Sequence, residues 1–238
     1  MNKLLIFNWK MNPDTLLESQ KLAELSDHKN VVVIPPFPFL EKVRNILKNA
    51  ELGAQDLFWK NPLAGGAAFT GEVSADELKN VGVKYVLIGH SERRKLGETD
   101  EIIARKMRVA LAAGLIPILC VGETEKEKNE GKEEGVIKQQ LKDDLFLIKG
   151  DFIVAYEPVW AIGTSEPETP ASALKIIQFI KKTLSTFNFP PSTKVLYGGS
   201  ATSQNLADYI KYKEIDGVLV GGASLKKEEI KKMIQCLN

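Results

Sequence analysis

The chain has 238 residues, 44% of them hydrophobic and 26% charged, which is ample for a buried core and within the range of one large α/β domain. Its formal charge of +1, from 32 basic and 31 acidic residues, carries no electrostatic footprint for nucleic acid or an anionic membrane surface. The two cysteines, Cys120 and Cys236, form no Cys/His cluster; they argue against a zinc site or a disulfide framework and fit a reduced, cytoplasmic protein.

The N-terminal apolar run has no cleavage-site pattern and passes directly into Trp9 and Lys10, so it reads as a first strand over 4–9. A helix over 14–26 follows, then a strand over 31–35 and a helix over 38–49. The third pair is a strand over 52–55 and a helix over 74–81; the fourth, a strand over 85–90 and a helix over 99–113. The fifth and sixth pairs are 116–121 with 133–145, and 152–156 with 170–187. The last two are 194–197 with 203–211, and 217–220 with 225–237. The strands are continuous runs of Val, Ile and Leu, as parallel strands covered on both faces should be. No apolar stretch approaches the roughly 20 residues of a membrane span.

Local signals mark several helix ends. Ser74 and Glu77 have capping-box spacing, Thr99 precedes two acids, Pro170 suits a first helical position, and Gly114 suits a helix end. The mixed-sign stretch 125–134 reads as an exposed loop with one helical turn. Lys226, Lys227, Lys231 and Lys232, interrupted by Glu228 and Glu229, read as one face of a solvated helix, and His28 as a surface loop residue. Eight βα units in series predict an α/β fold, a single (β/α)8 barrel over 1–238; a doubly wound open sheet is the alternative.

In a barrel, the loops after the strands converge on one mouth. The first strand leads into Asn8-Trp9-Lys10, the fourth into Gly89-His90-Ser91-Glu92, and the sixth into Tyr156-Glu157-Pro158. The seventh and eighth lead into Gly198-Gly199-Ser200 and Gly221-Gly222. Each has an ordinary explanation when taken alone: a rim lysine, a satisfied histidine, a capping glutamate, tight turns. Together they predict one cleft holding an ammonium, an imidazole and a carboxylate beside two loops whose bare N–H groups can cradle a phosphate. No Walker-type sequence, cofactor motif or carboxylate cluster is present, so neither cofactor nor metal is expected, and the phosphate is expected to belong to the substrate. Proton transfer next to a carbonyl is the chemistry such a set performs. A different barrel enzyme acting on a small phosphorylated metabolite is an alternative, as is a barrel that only binds.

At these residues the chain resembles the triosephosphate isomerase family. The motifs are Asn8-Trp9-Lys10-Met11-Asn12, the segment from Tyr85 to Arg94, Ala155-Tyr156-Glu157-Pro158-Val159-Trp160-Ala161-Ile162-Gly163-Thr164, Tyr197-Gly198-Gly199-Ser200, and Val220-Gly221-Gly222-Ala223-Ser224. Gly53-Ala54-Gln55 and Phe69-Thr70-Gly71-Glu72 resemble the edges of the family's interface loop. The resemblance spans nearly the whole chain in the family's order. It implies a TIM barrel that interconverts dihydroxyacetone phosphate and glyceraldehyde 3-phosphate without cofactor or metal. It also implies Glu157 as the base, His90 as the electrophile, Lys10 and Asn8 stabilising the enediolate, and Glu92 just behind Lys10. Gly163, Ser200, Gly221 and Gly222 would hold the phosphate under a lid of Pro158, Val159, Trp160, Ala161, Ile162, Gly163 and Thr164. A homodimer through the loop between Asp56 and Thr70 is implied, with no nucleic-acid or membrane partner.

A helix starting at Ser91 would turn its positive end toward His90 and favour the neutral imidazole. Pro158 restricts the backbone next to the base. The chain departs from the family at Ser165-Glu166-Pro167-Glu168, where a glycine, a lysine and small residues are common; Pro167 is expected to stiffen the lid's trailing hinge. The interface loop, with Asn61-Pro62-Leu63-Ala64-Gly65-Gly66 inside it, looks longer than usual, and the chain is short around its first and fifth helices.

Overall fold

The computed structural model describes residues 3–60, 69–164 and 167–237. Eight strands pair in chain order into a closed barrel. They are β1 (Leu4–Asn8), β2 (Val31–Ile34), β3 (Glu51–Ala54), β4 (Tyr85–Ile88), β5 (Ile116–Val121), β6 (Ile153–Tyr156), β7 (Lys194–Tyr197) and β8 (Gly217–Val220). Every pairing is parallel, and β8 closes on β1 with Phe7 beside Val220, so the open-sheet alternative is set aside.

Side chains alternate across each strand and divide the core in two. Ile6, Ile34, Leu87, Ile118, Cys120, Leu196 and Leu219 fill the barrel. Phe7, Val33, Ile88, Val121, Tyr156 and Val220 face outward, against the helices. Both faces are dry, which is why the strands read as unbroken apolar runs instead of alternating ones.

The helices are α1 (Leu16–Ser26), α2 (Leu40–Arg44), α3 (Ala75–Val81), α4 (Ser91–Lys95) and α5 (Asp100–Ala112), then α6 (Glu125–Asn129), α7 (Glu133–Asp144), α8 (Pro170–Thr186), α9 (Leu206–Ile210) and α10 (Lys227–Gln235). The Ser74–Glu77 capping box forms in both directions, and Thr99 and Pro170 stand where their helices begin. The 125–134 stretch holds the one helical turn expected of it: Thr124 and Glu127 make a second capping box and start α6.

Two predicted helices are shorter than expected. The 38–49 segment is a 3-10 turn, Phe37–Phe39, followed by α2. Its end is captured by Asp27, whose carboxylate accepts the N–H groups of Lys48, Asn49 and Ala50 at 3.0, 2.7 and 2.8 Å. The 203–211 segment is helical only over α9; ahead of it Asn205 Oδ1 accepts the Thr202 N–H at 2.8 Å and Glu229 accepts the Ser203 N–H at 2.7 Å. At 48–50 a side chain takes backbone donors that a longer helix would use, whereas at 202 and 203 side chains satisfy donors that have no partner within a helix. Among the described residues, no helix is long and apolar enough to cross a membrane.

Candidate active site

The strand ends β1, β4, β6, β7 and β8 open on one cavity of about 570 Å³. Asn8, Lys10, His90, Glu157, Gly163, Ser200, Gly221 and Gly222 all line it. Glu92 stands behind, in contact with the Lys10 ammonium through Oε1.

Lys10 sits in the left-handed region, with φ of 53°, which a residue with a Cβ enters only when its surroundings compel it. Asn8 Oδ1 accepts the Lys10 N–H at 2.9 Å, and Gln55 donates to the Lys10 carbonyl at 2.6 Å. The backbone is therefore gripped on both sides, and Glu92 fixes the far end of the side chain.

The first turn of α4 holds both remaining groups. The Ser91 N–H donates to Glu157 Oε2 at 3.1 Å, and the Glu92 N–H donates to His90 Nδ1 at 3.2 Å. Because Nδ1 accepts, the ring's N–H is the Nε2 one, and Nε2 lies 3.3 Å from Glu157 Oε1. His90 and Glu157 are both buried. The Glu157 backbone is pinned as well: its N–H reaches the Val121 carbonyl at 2.7 Å. A Cβ on Gly122 would come within 1.8 Å of the Glu157 carbonyl, so only glycine permits this approach of β5 to β6. Beside Glu157, burial first and then the Glu157 carboxylate push the Cys120 thiol far up, keeping it protonated.

The segment expected to form the lid contains a 3-10 turn, Val159–Ala161, directly after Pro158. Ile162, Gly163 and Thr164 line the cavity, and Ser200 Oγ donates to the Thr164 carbonyl at 3.0 Å. Trp160 Nε1 donates to Glu123 Oε1 at 2.7 Å, and the Lys128 ammonium stands 3.0 Å from the centre of its ring. Burial, with Glu168 nearby, pushes the Glu123 carboxyl to about 7 even though Trp160 and Tyr156 donate to it. The Ser165 and Glu166 departures and the 61–66 insertion lie outside the described residues.

Four residues of this region were not singled out from the sequence as part of it. Glu123 follows β5 through Val121-Gly122, the same strand-end placement that marked Glu157. Glu168 is buried beside the lid. Lys128, on α6, carried no sequence signal. Lys226, read as part of a solvated helix, precedes α10 and lines the cavity next to the Gly221-Gly222 loop. Among the described residues there is no group of three or more His, Cys, Asp or Glu side chains that could hold a metal ion.

The family model described as triosephosphate isomerase matches residues 3–237. The triosephosphate isomerase of Thermoanaerobacter pseudethanolicus is 42% identical, over 95% of this chain and 96% of that protein. That of Aquifex aeolicus is 39% identical over 98% and 99%, and that of Colwellia psychrerythraea 41% over 94% and 93%. With a closed eightfold barrel and a match over nearly its whole length, the chain belongs to the triosephosphate isomerase family.

Proposed function

We propose that the cleft interconverts dihydroxyacetone phosphate and D-glyceraldehyde 3-phosphate, with Glu157 as the base. The Glu157 carboxylate takes a proton from the carbon beside the carbonyl. His90 Nε2–H donates to the carbonyl oxygen as it becomes the enediolate oxygen. The Lys10 ammonium offsets the negative charge of intermediate and phosphate, and Asn8 keeps Lys10 in its left-handed turn and faces the same oxygens. Return of the proton to the neighbouring carbon completes the exchange. Backbone N–H groups of Gly163, Ser200, Gly221 and Gly222 hold the phosphate. Residues 158–164 are the lid, whose apolar side chains exclude water that would let the enediolate shed its phosphate.

The observation that carries this reading is the 3.3 Å approach of His90 Nε2 to Glu157 Oε1 in the cavity that Lys10 and Gly221 also line. The chain acts as a homodimer through the loop between Asp56 and Thr70. Met11, Phe69 and Leu96, all exposed, supply apolar surface for a partner to cover. Its place is the cytoplasm, in triose phosphate metabolism.

A coupled assay with glyceraldehyde 3-phosphate, run beside a native mass measurement, tests both statements. Wild-type turnover with a mass of two chains is expected, and Glu157→Asp, which retracts the carboxylate by one methylene, should lose on the order of 10²-fold in kcat. Unchanged turnover in that variant removes Glu157 as the base, and a monomer mass removes the dimer.

A further inference from the structure

Below the docked lid lies a second acidic site that the chemistry above does not use. Glu123, after β5, and Glu168, before α8, are both buried, at 1% and 4% exposure. The Tyr156 hydroxyl, from β6, stands between them: it donates to Glu123 Oε1 at 3.3 Å and also faces the Glu168 carboxyl. Ser172 Oγ donates to Glu168 Oε1 at 2.7 Å. The other oxygen of each carboxyl, Glu123 Oε2 and Glu168 Oε2, has no hydrogen-bond partner. Glu168 is not needed as a cap, since Thr169 caps α8.

The backbone of Glu168 is also held. Its carbonyl accepts from the Tyr209 hydroxyl on α9, and its N–H faces the Tyr197 hydroxyl of β7. Those two rings stack at 4.1 Å. The trailing end of the lid is thus fastened four residues beyond Thr164, while Trp160 fastens its tip to Glu123.

We propose that Glu168 is a positioning residue for the lid: paired with Glu123 through the Tyr156 hydroxyl, it shares with Glu123 a proton that is held while the lid is docked and released when the lid lifts. This rests on the reading of residues 158–164 as the lid. A single phenolic proton cannot serve two carboxylates, and two desolvated negative charges with partnerless oxygens repel each other at close range. A carboxyl that keeps its proton removes that repulsion. The other groups facing the pair divide in sign: Lys128 on α6 favours ionisation of Glu168, and Glu133 on α7 opposes it. The phenols of Tyr197 and Tyr209 are held neutral by burial.

The direction of the effect follows. With the segment docked as it is here, burial holds the Glu123 carboxyl at about 7, above the ordinary 4.5, and raises Glu168 for the same reason. A group with more affinity for its proton in the docked state favours docking fully below its ordinary value and loses that contribution as pH rises through the docked value. Lid closure should therefore weaken from about pH 4.5 to about pH 7.

The test uses Glu168→Gln, which keeps shape without charge, and Glu168→Ala, which removes the group. Without substrate, the indole N–H of Trp160, assigned by its loss in Trp160→Phe, is followed by NMR against pH. In the wild type it should titrate with Glu123; in both variants the midpoint should fall by about one pH unit, as expected for removing a neighbouring carboxylate. With glyceraldehyde 3-phosphate, the ratio of KM at about pH 8 to KM at about pH 5.5 should fall at least about twofold in both variants relative to the wild type, the substrate's own titration being common to all three. An unmoved midpoint overturns the shared proton. A moved midpoint with an unmoved KM ratio overturns the control of the lid. Failure of Glu157 as base would appear in Glu157→Asp and leave the substrate-free titration untouched.

Discussion

Two buried acidic sites lie on either side of β6 and are built on different principles. Glu157 has a polar group at each oxygen, the Ser91 N–H donating to one and His90 Nε2 standing 3.3 Å from the other. Glu123 and Glu168 are as deeply buried, yet each has an oxygen with no partner. Burial alone therefore does not fix what a carboxylate can do. The backbone of α4 and an imidazole orient Glu157; only a phenol, an indole and a serine reach the other pair, and burial there raises the Glu123 carboxyl to about 7.

His90→Gln breaks the first site. It replaces the imidazole with an amide that can donate a hydrogen bond but cannot exchange its proton, and kcat should fall by about 10² to 10⁴-fold in the isomerase assay, the range of a lost general acid–base partner. A fall below about tenfold would put Glu157 and His90 on the same footing as the purely structural pair. Trp160→Phe sharpens the second site and should have the smaller effect. It deletes the 2.7 Å donor to Glu123, which should lower stability by about 1 to 2 kcal/mol and the Tm by about 2 to 6 °C in a thermal scan. Trp160 is one of the groups that draw the Glu123 carboxyl down, so its loss should raise that carboxyl further and widen the acid-side pH window in which the site is most stable. A variant that is unchanged at every pH would show the indole contact to be idle.

Much of this was legible because a parallel strand covered on both sides leaves a plain trace. Val31–Ile34, Ile116–Val121 and Gly217–Val220 read as unbroken apolar runs, and the strand-end rule then carried Lys10, His90 and Glu157 to one rim. The helix ends that went astray depend on partners distant in sequence: Asp27 reaching residues 48–50, and Glu229 reaching Ser203. The second acidic site was hidden for the same reason. Glu123 comes from one βα unit and Tyr156 and Glu168 from the next, and only the pairing of β5 with β6 brings them together. Glu168 stood out as a departure from the family, but its burial and its partners could not be read from the chain. Lys226 was misplaced because a lysine-rich run suggests a solvated helix, whereas it stands just before α10 at the cavity mouth.

In the proposed reaction Glu157 moves the proton between the two carbons. Incubation of dihydroxyacetone phosphate with the enzyme in D₂O, followed by NMR of the recovered substrate, measures that step without waiting for release of the isomer. The wild type should exchange a carbon-bound proton for deuterium, and Glu157→Gln, folded and able to bind, should do so at least about 10²-fold more slowly. Deuterium entering at the wild-type rate in the Glu157→Gln variant would contradict it.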